Sequence, residues 1–495
     1  MKHPQRIELT PGYTISRIIT GLWQVADIEK DGNIMDIESA ASALLEYADS
    51  GFDTFDMADH YGSAELISGH ARKHILKELP NIGSSEKAKF HTKWCPKPGE
   101  MKAQKVRDAV LLSAERLETE QIDLMQFHWW NYEHPYYLEA MEGLQKLKQE
   151  GLILNLGLTN FDTDHLHLLL NEGIQIISNQ VVVSLFDRRA LGDMSRLCLQ
   201  HGIKLLAYGT VGGGFLSDRW LGKEEPSLSR INDWSKMKYK RFIDQTGGWV
   251  KFQQILKVLN GIARKKEVSI TNVATRWVLD QPAVGAVIIG ARLTESEHRL
   301  DNVNLFSFTL DQDDHKAINH VLSDTHQING DCGAEYRQPP YLTAAGDLSD
   351  HLEEQKSIDP CLTISGDKNF QRLDSGSYWE SVCGYSRALK KGGIILVSGT
   401  TATHGKDRVI CRDDPRGQAV YILDKILLAV SALGGKRSDI VRTRIYLTNH
   451  EHCDAVSKVH GLYFEGLNPA NTTIEVSNLI GDHLVEIEAE AIVDE

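Results

Sequence analysis

FDTFDMADHYG (52–62) reads as a short apolar strand that runs straight into a turn, and it carries Asp56 and Tyr61. KFHTKW (89–94) and IDLMQFHW (122–129) have the same form and end near Lys93 and His128. Working outward, similar runs occur at SRIITGLW (16–23), ILNLGLTN (153–160), IQIISNQVV (174–182), IKLLAYG (203–209) and AVGAVIIGA (283–291). Segments of helical period lie between them, such as DIESAASALLEYADSG, AQKVRDAVLLSAERLE and PYYLEAMEGLQKLKQEG. Gly51, Gly151, Gly173 and Gly202 each stand just before the next strand, where a left-handed residue stops a helix. About eight strand–helix units predict an α/β fold of the (β/α)8 TIM barrel type. No GxGxxG follows the first strand, which disfavours a dinucleotide-binding open sheet. The connection from Gly209 to about Trp249 is long and rich in Gly and Trp, and it is expected to form a lid loop.

With 495 residues the chain is too long for one core. From 326 to 371 the periodicity fades into a polar stretch with Pro339–Pro340 and DLSDHLEEQKS. Residues 1–345 are therefore read as the barrel with a C-terminal extension, 346–371 as a linker and 372–495 as a second domain. In that domain ALKKGGIILVSGTTA predicts a hairpin, QAVYILDKILLAVSALGG an amphipathic helix, DIVRTRIYLTN a strand and HEHCDAVSKVHGLYFEG a second helix. TTIEVSNLI and HLVEIEAEAIV close it as strands, giving an α+β module.

Composition narrows the function. A net charge of −14 argues against nucleic acid or an anionic membrane as partner. No apolar run is long enough to span a bilayer, and MKHPQRIELT lacks the apolar core of a signal peptide, so a cytoplasmic protein is expected. The seven cysteines form no CxxC pair and the 20 histidines no HExxH, so no metal centre is expected.

Barrel enzymes place their chemistry at the C-terminal strand ends. Three consecutive strands here end in Asp56 with Tyr61, in Lys93 and in His128. A lysine inside an apolar strand needs a counter-charge, and Asp56 on the adjacent strand offers one. A nearby ammonium favours the phenolate and makes tyrosine a better acid. That phenol can protonate a carbonyl oxygen as hydride arrives, while His128 orients the oxygen.

DTFDMADHYGSAE, HTKW, DLMQFHW, LGLTNF and SNQ resemble, in order, the motifs of the aldo-keto reductase family. The resemblance implies a catalytic tetrad of Asp56, Tyr61, Lys93 and His128, hydride transfer from a nicotinamide, and no metal. It implies that Thr159, Asn160 and Gln180 hold the nicotinamide amide and that Tyr208 stacks on its ring. It further implies that GTVGGGFLS, opened by Gly209, would lie along the pyrophosphate. Trp23 and Trp129 are expected to line the substrate pocket. Arg292, in IIGARLTESEHRLDN, would bind an adenosine 2′-phosphate and Asn302 the adenine, so NADP(H) is favoured over NAD(H). His298 stands where many members carry a second Arg.

The last 125 or so residues resemble the Rid/YjgF family of enamine and imine deaminases, with a chorismate-mutase-like fold. Members are usually trimers, so a homotrimer is implied. Tyr385, Ser398, Gly399 and Glu486 fall at pocket positions. Asn471 stands where deaminating members carry a carboxylate-clamping Arg, so this domain is expected to bind a ligand or assemble the protein rather than deaminate. The leading expectation is an NADP-dependent reductase of an aldehyde or ketone, or the reverse. The alternatives are an imine deaminase with an accessory barrel and a non-catalytic NADPH-binding redox sensor.

Overall fold

A computed structural model describes residues 3–25, 36–78, 88–227, 231, 234–293, 298–337, 362–367 and 369–494. A hairpin, β1 (Arg6–Thr10) and β2 (Tyr13–Ser16), precedes the barrel. The barrel strands are β3 (Ile18–Gly21), β4 (Thr54–Asp56), β5 (Lys89–Trp94), β6 (Ile122–His128), β7 (Ile153–Thr159), β8 (Ser178–Val182), β9 (Lys204–Tyr208) and β10 (Val284–Gly290). They pair in parallel in chain order, and β10 closes on β3. Every residue of β4 and β8 is buried, as expected of strands covered on both faces. Gly51 and Gly151 stop their helices at φ 86° each, which an L side chain would resist.

The hairpin was not expected, although Pro11–Gly12 is a turn signal. It puts Leu9, Tyr13 and Ile15 against Ile19, Leu124, Leu206 and Ala286, sealing the end where the strands begin. Chemistry is thereby confined to the other mouth. Among its described residues the 209–249 connection, expected as a lid loop, holds two short turns and the helix Trp234–Gln245.

The second sheet runs β11 (Thr363–Asp367), β12 (Phe370–Asp374), β13 (Ala388–Lys391), β14 (Ile394–Thr401), β19 (Val485–Ile492), β17 (Ile440–Leu447), β18 (Ala470–Glu475), with a small pair β15 (Thr403–His404) and β16 (Arg408–Val409) beside it. Part of the 346–371 stretch lies outside the described residues, but β11 and the start of β12 fall within it, so the sheet begins earlier than a linker there allows. The helices Pro415–Ala432 and Cys453–Tyr463 cover the sheet.

One expectation needs correcting. The helix Pro415–Ala432 is not amphipathic: an unbroken run from Gly417 to Asp424 is buried, as are Ile426 to Val430. An all-round apolar helix must be covered on every side. Its own sheet covers one side and the barrel helix Thr163–Asn171 covers another. Around this contact Arg416 Nε meets Asp164 at 2.5 Å, His167 meets Asp414 at 2.8 Å, and Arg408 pairs with both Glu142 and Glu172.

Candidate active site

The register of the barrel assembles the tetrad. Asp56 pairs with His91 across β4 and β5, and Lys93 with Gln126 across β5 and β6, so the ends of all three strands converge. Lys93 Nζ reaches Asp56 Oδ2 at 2.6 Å and the Met57 carbonyl at 2.6 Å. Both side chains are almost wholly buried, which only a paired ion tolerates. The other Asp56 oxygen accepts from Gln126 Nε2 (2.8 Å) and Gln180 Nε2 (2.7 Å), fixing the carboxylate. Lys93 Nζ lies 5.0 Å from the Tyr61 ring centre. Tyr61 is held edge-on by Trp23 at 4.9 Å and by His60 at 4.8 Å.

His128 ends β6 and faces the same space. Burial, then the charges of Arg337, His60, Lys93 and Lys238, hold its imidazole well below the usual histidine range, so it is neutral at physiological pH. A neutral imidazole can donate a hydrogen bond to a carbonyl oxygen without competing as an acid. Its ring lies tilted against Trp130, with ring centres 3.8 Å apart, and meets Tyr336 edge-on at 5.5 Å.

The cavity in front of these groups is about 600 Å³, enough for a dinucleotide end and a small substrate. Trp23, Thr159, Asn160, Gln180, Tyr208, Gly209, Arg292 and Asn302 all line it, together with the tetrad. Tyr208 Oη donates to Asn160 Oδ1 at 2.8 Å. The Thr159 hydroxyl is buried and has no hydrogen-bond partner within the protein. An orphaned buried donor beside a cavity fits a ligand amide that supplies the missing partner. At Gly209 a Cβ would come within 2.1 Å of Tyr239 Oη, so the close turn past the cavity requires glycine. The donor set at Thr159, Asn160 and Tyr208 fits a nicotinamide, and Arg292 and Asn302 line the same cavity.

Trp129 does not line the cavity. It is fully buried, and its Nε1 donates to the His134 carbonyl at 2.9 Å. Successive residues alternate in direction past the strand end, so Trp130 takes the pocket position instead. Sequence reasoning also missed Tyr336 and Lys238. Lys238 Nζ donates to Tyr336 Oη at 2.9 Å and pairs with Glu335 at 3.3 Å. Both come from segments without strand–helix periodicity, 234–245 and 334–337, which only tertiary folding brings over the mouth.

The second-domain residues gather only in part. Arg387 Nη2 donates to the carbonyls of Ser398 (2.7 Å) and Gly399 (2.6 Å), and a Cβ on Gly399 would meet Glu486 Oε1 at 2.0 Å. Burial lifts the Glu486 carboxyl above its usual range, with Arg387 opposing. Tyr385 is partly exposed nearby and acts electrostatically on Arg387. Asn471 lies on the edge strand β18, separated from the β19 strand of Glu486 by β17, and it donates to Thr443 Oγ1 at 3.0 Å.

Comparison with known proteins agrees with this division. Residues 17–323 match the Aldo/keto reductase family model, and residues 377–493 match the model described as Endoribonuclease L-PSP. Among curated relatives, the NADH-specific methylglyoxal reductase of Escherichia coli (strain K12) is 25% identical over 323 residues, covering 62% of this chain and 94% of that protein. Among solved structures, the glycerol dehydrogenase AKR11B4 from Gluconobacter oxydans shares the fold at 24% identity and a TM-score of 0.51, covering 66% of this chain and 97% of that one. A member of the YjgF/YER057c/UK114 family from Mycobacterium tuberculosis is 38% identical over 25% of this chain and 99% of its own, with a TM-score of 0.23. The second domain is thus a YjgF-like α+β module. Aldo/keto reductases are oxidoreductases that use nicotinamide cofactors, and by its barrel and its family match this chain belongs to the aldo/keto reductase family.

Proposed function

We propose that the barrel reduces an aldehyde or ketone to an alcohol, or runs the reverse, with NADP(H) as the preferred cofactor. The observation that carries this reading is the buried Lys93–Asp56 pair beneath Tyr61, with neutral His128 across the same cavity. When bound, the reduced nicotinamide supplies hydride to the carbonyl carbon. The Tyr61 hydroxyl gives its proton to the carbonyl oxygen, so the product is a neutral alcohol. The Lys93 ammonium stabilises the phenolate left behind, and Asp56 fixes the ammonium. His128 donates to the carbonyl oxygen and sets its direction. Thr159, Asn160 and Gln180 would hold the nicotinamide amide, and Tyr208 would lie against its ring. Trp23 and Trp130 shape the pocket for a small carbonyl.

Arg292 and Asn302 support the 2′-phosphate form of the cofactor, because a guanidinium fork matches phosphate. The relative named as NADH-specific makes the comparison of both cofactors essential. A panel of aldehydes and ketones that includes methylglyoxal, run with NADPH and NADH, tests the reading. Cofactor oxidation with NADPH preferred is the expected result; no oxidation by any carbonyl overturns it.

In this reading the unit up to about residue 345 carries the chemistry, and the unit that begins with β11 at Thr363 assembles the chain and retains a ligand pocket at Tyr385, Ser398, Gly399 and Glu486. Ile394 and Ile492 face each other across β14 and β19 and are exposed, as is Leu396, which favours self-association of this sheet as a homotrimer. Sedimentation that returns a monomer would remove that element. The setting is the cytoplasm, with a small molecule rather than nucleic acid or membrane as partner. Among the described residues no helix is long and apolar enough to cross a membrane.

A further inference from the structure

Asp424 has no exposed surface although it sits in the middle of the helix Pro415–Ala432. A carboxylate there must be paired. It accepts from Tyr463 Oη (2.6 Å) in its own domain, and from Tyr137 Oη (2.9 Å) and His165 Nε2 (3.0 Å) in the barrel. The other imidazole nitrogen of His165, Nδ1, lies 2.7 and 2.9 Å from the two oxygens of Asp162. Burial opposes charge on His165, but the two carboxylates and their hydrogen bonds outweigh it and lift the imidazole to about 9.

The contact does not stop at the interface. The His165 ring lies flat on Tyr132, with ring centres 3.3 Å apart and an angle of 6°. The Arg337 guanidinium sits 4.1 Å from the centre of the Tyr132 ring. Arg337 then donates to the carbonyls of Trp129 (2.6 Å) and Asn160 (2.7 Å). Those residues directly follow His128 and Thr159. Asn160 holds a left-handed φ of 54°, a conformation that asparagine adopts more readily than other side chains. Its side chain also reaches His128 Nε2 (3.5 Å) and accepts from Tyr208.

We propose that the second domain is a working part of the reductase site: Asp424 and His165 are positioning residues that act through Tyr132 and Arg337. They hold the backbone after His128 and after Thr159 in the arrangement that carbonyl reduction requires. The proposal rests on the reductase reading above. Other charged groups face the stack: Asp164 with Arg416, and Glu133 with His134 and Arg437; Tyr421 also borders Asp424. None of these is altered by the test.

The test is Asp424→Asn in the full chain. Asparagine keeps the volume and can still accept from a tyrosine, but it removes one of the two charges that hold the His165 proton. kcat should fall about three- to thirty-fold, and NADPH affinity, measured by fluorescence titration, should weaken by less than kcat falls, because Arg337 steadies the Thr159–Asn160 turn as well as the backbone after His128. The loss of kcat should deepen as pH rises from 6 to 9, because His165 then loses its proton at a lower pH. A kcat equal to that of the unaltered chain at every pH overturns the proposal. So does a pH-independent loss matched by weakened NADPH binding, which marks a loosened fold. If Asp424→Asn does not fold, Arg337→Met decides: it cuts the last link without touching the domain contact, and unchanged kcat overturns the proposal. An unaltered chain inactive on every carbonyl overturns the reductase reading and this proposal with it, whereas an active chain insensitive to Asp424→Asn overturns this proposal alone.

Discussion

The barrel mouth and the second-domain pocket each gather a tyrosine, a carboxylate and a cation, and they use them differently. In the barrel the cation is Lys93, fixed by Asp56 so that its charge lies beside Tyr61 at an open cavity. In the second domain the cation is Arg387, which donates to the carbonyls of Ser398 and Gly399 and so braces its own backbone. Asn471, where a charged clamp would stand, is bonded to Thr443 two strands from Glu486. Residue types alone do not make a reactive site. What matters is whether the geometry leaves a polarised group facing space that a substrate can enter.

The largest effect that can break this contrast is at Tyr61. Tyr61→Phe keeps the ring against Trp23 and removes the proton, so kcat should fall about 10²–10⁴-fold with NADPH affinity near that of the unaltered chain. Steady-state kinetics with cofactor titration checks it, and retained turnover would move the acid elsewhere. Lys93→Met leaves Asp56 as an uncompensated buried charge, with only Gln126 and Gln180 as donors. Denaturant unfolding should show a loss of about 3–5 kcal/mol at neutral pH. A loss below 1 kcal/mol would mean that the pair behaves as a solvated one.

Much of this was legible in the sequence because it is local. Asp56, Lys93 and His128 sit at the ends of apolar runs, and parallel strand order does the rest. The failures have physical causes of their own. Trp129 and Trp130 differ by one position, and the alternation that puts His128 at the cavity turns Trp129 away from it and brings Trp130 back. Tyr336, Lys238 and Arg337 come from segments with no period, so their place over the mouth depends on contacts distant in sequence. The helix Pro415–Ala432 was the missed clue to domain contact. Its run QAVYILDKILLAV is apolar all round, which already asks for cover on a second side, and Asp424 within it asks for a partner there.

That interface should carry its own pH signature. His165 titrates near 9 in the folded chain against an ordinary 6.5, so folding binds its proton more tightly. The stabilisation is therefore fully present below about pH 6.5 and is lost as pH rises through about 9, on the order of a few kcal/mol. Unfolding of the full chain at pH 6.5 and 9.5 reads it, and His165→Gln should flatten the difference. An unchanged pH dependence in that variant would place the titration on another group. At Arg292 the expected effect is smaller and selective: Arg292→Ala should weaken NADPH about ten-fold and NADH little, since only one of them presents a 2′-phosphate to a guanidinium. Equal losses would remove the phosphate argument.

The smallest effect is the sharpest check on which parts of the second domain matter to the barrel. Glu486→Gln alters a carboxyl on β19, in the pocket braced by Arg387, away from the Asp424 stack. Carbonyl reduction should stay within about two-fold. Because burial raises the Glu486 carboxyl in the folded chain, the charged form is worse accommodated folded than unfolded, and that cost applies at pH above its titration. The neutral amide removes it, so Tm at pH 8 should equal or slightly exceed that of the unaltered chain, and the difference should close as pH falls and Glu486 itself becomes neutral. A large loss of kcat here, equal to that of Asp424→Asn, would mean that the barrel senses the whole second domain rather than the helix that touches it.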